Sequence, residues 1–207
     1  MMLLSEVLKE RTAKSHREIE KCEGLRNLLS PDLTLAEYLL ILQCWKSFLG
    51  PIERAMNSME EMAGLMDDLA TRKKIPWLDA DIQNGGLGAK RVVPDSKMAL
   101  STPAVFWGYL YVIEGSTLGA RVITKKLVQH GTIPKTCLNF YFGYREQAYP
   151  KWAIFKQALD AWGEQHPDKY EEVVEAAMDA FDSLRKVIDS NYSKENLEQV
   201  IAGVNPS

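Results

Sequence analysis

Of the three histidines in the chain, His16 is the one whose neighbours could put it to chemical use. Glu20 follows it by one helical turn, the spacing at which a carboxylate or a bridging water engages imidazole Nδ1–H and leaves Nε2 free to bind a metal. Lys9 precedes it by seven residues, about 10 Å back along the same helix face. There an ammonium could meet the anionic edge of a planar ligand. Each residue alone has a plainer reading: a satisfied core histidine, a surface carboxylate, a solvated lysine. The triple spacing favours a ligand. His166 precedes Pro167 in a loop or cap, and His130 lies about 16 Å along its helix from the nearest glycine of interest, too far to share a small site.

That glycine belongs to a second segment, where side chains are given up rather than supplied. Thr102 to His130 reads as one long helix containing Gly108, Gly115 and Gly119. At about 100° per residue the three fall in a stripe roughly 40° wide. Each costs about 1 kcal/mol against alanine, so about 3 kcal/mol is given up on one face. Such a helix has bared its backbone to something that must come close, another helix or a ligand. One histidine on one helix, opposite an open glycine face on another, suits a haem group: the porphyrin holds the metal in its plane, one protein ligand binds below, and the sixth side stays open for oxygen. A di-iron bundle would need glutamate three residues before histidine on two helices. Ala13, Leu127 and Gly163 occupy those places. A zinc site would lack further nitrogen and sulfur ligands.

The elements that must position these groups are helices. Leu4, Val7, Leu8, Thr12, Ser15, His16 and Ile19 repeat at helical spacing and predict a first helix over about Leu3 to Cys22, with His16 in its apolar stripe. Thr34 with Glu37 is a capping box opening a second, whose stripe runs through Leu35, Tyr38, Leu39, Leu42 and Trp45. Gly50-Pro51 is expected to end it and to open a third helix ending near Gly64. Asp67 to Lys74 reads as a short helix, and Pro76 to Ser101 mostly as loop, with Gly85, Gly86 and Gly88 as flexible points. Ser101-Thr102-Pro103 opens the glycine helix with a hydroxyl cap and an early proline. Pro150 opens a helix to about Gly163, and Pro167 another to about Asn191. No segment alternates as a strand does. No repeat or linker divides the chain, so the expectation is a single all-α domain over residues 1–207, ending in a polar tail from Asn191 to Ser207.

Composition agrees and removes some functions. With 207 residues, 46% hydrophobic and 26% charged, the chain can bury a sizeable core. A net charge of −3 and a pI near 5.7 leave no basic field to hold nucleic acid or anionic lipid. No apolar run is long enough to cross a membrane and no secretory leader is seen, which points to the cytoplasm. Cys22, Cys44 and Cys137 form neither a CxxC pair nor a framework, as structural thiols in a reducing compartment would be arranged.

Leu8-Lys9-Glu10-Arg11-Thr12 followed by Ser15-His16 and Glu20 resembles the proximal helix of the haem oxygenase family. Tyr111-Val112-Ile113-Glu114-Gly115-Ser116-Thr117-Leu118-Gly119-Ala120-Arg121-Val122-Ile123 resembles its distal helix in the bacterial form. The pair is most similar to the haem oxygenases that accompany bacterial phytochromes. Downstream, Phe140-Tyr141, Tyr144, Trp152 and Phe155 resemble the family's aromatic segment and following helix.

The resemblance implies that His16 is the proximal iron ligand, oriented through Glu20, and that Lys9 pairs with a haem propionate. Gly115 and Gly119 would lie over the distal haem face and let backbone approach bound oxygen. Ser116 stands where the mammalian enzymes carry an aspartate that organises distal water, and Ala120 replaces a second tandem glycine. Phe140 and Tyr141 would be haem-wall residues, with core packing as the plainer alternative. Arg185 is a candidate for a propionate on the last helix. The implied reaction is cleavage of haem, both cofactor and substrate, to biliverdin, CO and ferrous iron. It uses O2 and electrons from a soluble ferredoxin or flavodoxin, and a phytochrome is a candidate recipient of the product. Two other readings remain: a haem carrier or sensor without turnover, and a haem-free helical protein of the same fold.

Overall fold

The first expected helix is built in two pieces. In the computed structural model, which describes residues 2–58, 66–86, 100–193 and 195–198, α1 (Leu4–Arg11) and α2 (Ala13–Ile19) meet at Thr12. The Thr12 hydroxyl donates to the Leu8 carbonyl at 2.7 Å. A threonine that bonds back to the preceding turn competes with the helix ladder and bends it. Leu4, Leu8, Thr12 and Ile19 are buried while His16 is exposed, so the histidine stands outside the apolar stripe in which the spacing placed it. The segment also stops earlier than Cys22, and a short α3 (Glu23–Asn27) that the pattern did not predict follows.

α4 (Leu35–Ser58) opens on the expected capping box. Thr34 Oγ1 accepts from the Glu37 amide at 3.2 Å, and Glu37 Oε2 accepts from the Thr34 amide at 2.8 Å. Gly50-Pro51 does not end this helix. Pro51 cannot donate to the Ser47 carbonyl, but Phe48, Leu49 and Ile52 around it are all buried, and that burial carries the helix through. The expected end near Gly64 lies outside the described residues.

Two more expectations change between α4 and the glycine helix. A 3-10 turn over Leu69–Arg72 replaces the short helix expected from Asp67 to Lys74. α5 (Ile75–Asn84) occupies ground expected to be loop. Pro76 sits in its first turn, where a missing N–H costs nothing. Glu53 Oε1 accepts from the Lys74 and Ile75 amides at 2.5 and 3.1 Å, so a carboxylate from α4 caps the helix start. Leu78 and Ile82 then bury its inner face.

The glycine helix forms as expected, as α6 (Pro103–His130). Thr102 Oγ1 accepts from the Val105 amide at 3.2 Å, and Gly131, at φ +70°, closes the C-terminus. Thr102 Oγ1 also donates to Glu172. Thr102→Ala is therefore expected to cost about 1 kcal/mol, read as a lower midpoint in denaturant unfolding.

α7 (Asn139–Phe142), α8 (Ala148–Gln165) and α9 (Tyr170–Asn191) complete the described architecture, which contains no strand. α6 lies along α9, and Gly108 is a point at which they touch closely. A Cβ built there would stand 2.5 Å from the Val173 carbonyl oxygen and 2.6 Å from Ala176 Cβ. Around this contact Phe106, Trp107, Leu110, Phe155 and Ala177 form the centre of the core. Cys22 and Cys44 are free and buried, and burial pushes both thiols up to about 12, away from reactivity. Among the described residues no helix is long and apolar enough to cross a membrane. Most of the polar tail expected beyond Asn191 lies outside them.

Candidate functional site

The two segments singled out by their chemistry are joined directly. The Tyr111 hydroxyl lies beside the Thr12 side chain; burial pushes its phenol up and the threonine partly offsets this. Thr12 precedes His16 by one turn, and Tyr111 precedes Gly115 by one turn. A contact between α1–α2 and α6 thus stands one turn from each of the two features.

The His16 side chain is 59% exposed, and its Nδ1 lies 3.5 Å from Glu20 Oε1. Its ring meets the edge of Phe181 on α9, with centroids 5.7 Å apart. The imidazole is thus backed by a buried aromatic and turned with Nδ1 toward a carboxylate, which leaves Nε2 for a further partner. Lys9 is exposed on α1. Among the described residues no group of three or more His, Cys, Asp or Glu side chains could hold a metal ion.

The glycine stripe divides. Gly108 is closed against α9, as described above. At Gly115 an added Cβ would make ordinary contact with Trp152, at 3.7 Å. At Gly119 it would meet no atom of the described residues within 4 Å. Another helix explains Gly108; nothing within the described chain explains Gly119. Ser116 Oγ donates to the Ile113 carbonyl at 2.7 Å, which spends its only hydrogen and leaves it able to accept. Ala120 is half-buried beside Gly119, and Val122, three residues on, is 61% exposed, continuing the uncovered face with an apolar side chain.

Phe140 and Tyr141 lie on α7, beneath the C-terminal half of α6. Thr124 Oγ1 donates to the Tyr141 carbonyl at 2.6 Å. Asp81 on α5, itself buried, accepts from the Asn139 and Phe140 amides at 2.9 and 2.8 Å and so caps this short helix. Phe140 is half-buried against Trp45, whereas Tyr141 is buried between Phe140 and Tyr38. Burial drives the Tyr141 phenol pKa upward. Arg185 on α9 is paired with Asp182 at 2.5 Å and Asp189 at 3.4 Å, so any other anion must compete with two carboxylates.

Sequence reasoning missed the charged cluster behind α6. Glu114, one residue before Gly115, is 1% exposed. Its carboxylate accepts from Arg72 Nη1, from Lys74 Nζ at 2.6 Å and from the Tyr144 hydroxyl at 3.1 Å. Arg72 also holds Asp68 through two nitrogens and donates to the Lys151 carbonyl at 3.0 Å. Lys151 Nζ reaches Asp68 at 2.8 Å. Burial and the neighbouring carboxylate drive the Tyr144 phenol pKa upward, so it is a neutral donor. A lone glutamate closing the apolar run Tyr109–Ile113 was the available signal.

Residues 2–190 match the family model described as heme oxygenase. A curated heme oxygenase from Xanthomonas campestris pv. campestris (strain 8004) is 34% identical over 89 residues, 43% of this chain and 52% of that protein. The match thus spans about half the length of the curated relative. Among solved structures, heme oxygenase from Leptospira interrogans aligns at TM-score 0.73 and 17% identity, covering 91% of this chain and all of that one. Heme oxygenase-1 from the cyanobacterium Synechocystis sp. PCC6803, solved in complex with heme, aligns at TM-score 0.72 and 18% identity over 97% of this chain and 96% of its own. The Neisseria meningitidis enzyme, solved with NO and CO bound, aligns at TM-score 0.75 and 18% identity over 93% of each chain. At these identities the structural likeness establishes the all-helical fold.

Proposed function

The chain belongs to the heme oxygenase family, and on that premise we propose that it is a haem-degrading enzyme, working as one domain over residues 1–207, that holds haem by His16 and the uncovered glycine face of α6. The observation that carries this reading is Gly119. A mid-helix glycine costs about 1 kcal/mol against alanine, and the described chain supplies no neighbour that would exclude a side chain there.

The residues present fit the group. His16 is exposed, with Nδ1 toward Glu20 and Nε2 left for iron. Phe181 restrains the ring from below. Gly115, Gly119 and Ala120 would present backbone and a methyl group to the other face of the haem. Lys9, without an ion pair among the described residues, is the first choice for a propionate, and Arg185 is second because Asp182 and Asp189 already hold it. Phe140 would close the wall beneath α6, with Tyr141 packed behind it between Phe140 and Tyr38.

Bound haem supplies the iron that works on O2, and its ring is the substrate opened to biliverdin with release of CO and ferrous iron. The protein's part is ligation, orientation and the hydrogen-bonding environment. Ser116 defines that environment by what it lacks. Its hydrogen is committed to the Ile113 carbonyl, so a water on the ligand side would donate to it, and a hydroxyl cannot supply the negative charge that a carboxylate would hold there. Proton delivery in this chain therefore runs through ordered water rather than a carboxylate at position 116. The electron donor is a soluble ferredoxin or flavodoxin. The distal motif favours the phytochrome-associated subtype, with a phytochrome as recipient of the product.

One experiment separates enzyme from carrier. Protein loaded with one equivalent of haem is exposed to air and a ferredoxin reducing system, with catalase present to remove free peroxide. The Soret band is expected to decay as bilin absorbance rises; a stable oxy spectrum without bilin would overturn the enzyme in favour of the carrier.

A further inference from the structure

The haem-binding reading uses the exposed side of α6 and leaves unexplained why a carboxylate lies buried behind it. Glu114 gathers directional hydrogen bonds from three other segments: Arg72 in the 3-10 turn, Lys74 just before α5, and Tyr144 after α7. Lys151 of α8 joins through Asp68 and through its own carbonyl to Arg72. A buried charge cluster is poor value as stabilisation, since apolar residues of equal volume often do better. Convergent hydrogen bonds do supply direction. Apolar contacts let a helix turn or slide, whereas three donors from separate segments converging on one carboxylate do not.

The position of this anchor is informative. Up to Glu114, α6 is mostly buried; from Gly119 to Lys126 most residues are exposed or half-buried. The turns between are soft. Gly115 and Gly119 lack side chains, and the Ser116 and Thr117 hydroxyls bond back to the Ile113 and Glu114 carbonyls at 2.7 and 2.6 Å, which weakens the helix ladder. Glu114 is thus the last fixed point before the ligand face, and a slip of one residue there would rotate that face by about 100°.

We propose that Glu114, held from behind by Arg72, Lys74 and Tyr144, is a positioning residue that sets the height and rotation of Gly115 and Gly119 over the ligand. This rests on the haem-binding reading for what the face is for, but not for the anchoring itself, and the test separates the two. In the haem-free protein, Glu114→Gln removes the charge that holds two buried cations. Amide hydrogen exchange over residues 115–126 should then accelerate about tenfold while α9 keeps its protection. Tyr144→Phe removes one neutral donor and should act in the same direction, less strongly. Loaded with haem, both variants should change the ratio of biliverdin isomers relative to the unmodified chain. Equal acceleration in α9, or unchanged exchange over 115–126 in both variants, would overturn the proposal, as would an unchanged isomer ratio. Should Glu114→Gln fail to fold, Tyr144→Phe carries the same criteria. An unmodified chain that makes no bilin refutes the enzyme, while the exchange result still decides whether Glu114 anchors the face.

Discussion

Gly119→Phe is expected to fold at least as stably as the unmodified chain and to lose haem turnover, while Gly108→Ala does the reverse. Among the described residues no atom stands within 4 Å of a Cβ at position 119. Relief of the glycine's helix cost, about 1 kcal/mol against alanine and less against phenylalanine, favours the folded state. The ring, however, would fill the face over which haem must lie. At position 108 a Cβ would sit 2.5 Å from the Val173 carbonyl oxygen and 2.7 Å from the Ala177 amide nitrogen. Backbone cannot swing aside as a side-chain tip can, so α6 and α9 must part, at a cost of about 3 kcal/mol. Unfolding midpoints and turnover, measured on both variants, should dissociate. A Gly119→Phe protein that degrades haem at the unmodified rate would show that α6 presents another face to the ligand.

The second large effect belongs to His16. Its side chain is 59% exposed, so His16→Ala should alter stability by less than about 0.5 kcal/mol. The loss falls on the ligand: the Soret band of the haem titration should shift, and turnover should fall by about 100-fold or more, the scale of losing a positioned group at the reacting centre. Free imidazole added to the variant should restore part of the spectrum. An unchanged Soret band in His16→Ala would remove histidine ligation from the account.

The helix periods and caps were legible because they are local. Thr34 with Glu37, and Thr102 before Pro103, each contain both partners of their cap within four residues. The two prolines were misjudged because local chemistry alone does not decide them. Pro51 ended nothing, since Phe48, Leu49 and Ile52 bury their sides of α4 against the rest of the molecule. Pro76 opened a helix whose cap, Glu53, comes from another one. His16 fell in an apolar stripe by periodicity, yet the break at Thr12 and the packing of α2 leave it exposed.

The site was legible in its kinds of residue and not in their surroundings. Gly108, Gly115 and Gly119 are equivalent by spacing, and only α9, more than fifty residues downstream, distinguishes the packed glycine from the open one. Glu114 could be noticed as a carboxylate ending an apolar run, but Arg72 and Lys74 lie about forty residues away in sequence. Ser116 was legible as a serine standing where the mammalian enzymes carry an aspartate, without the partner its hydroxyl takes. Its bond to the Ile113 carbonyl narrows it to acceptor.

The central claim, that this chain opens haem held by His16 against the glycine face of α6, is tested most directly by measuring CO in a single turnover. Protein with one equivalent of haem, ferredoxin, reductant, catalase and air should release one CO per haem as the haem disappears, and His16→Ala should release almost none. Recovery of intact haem without CO from the unmodified chain would contradict the account.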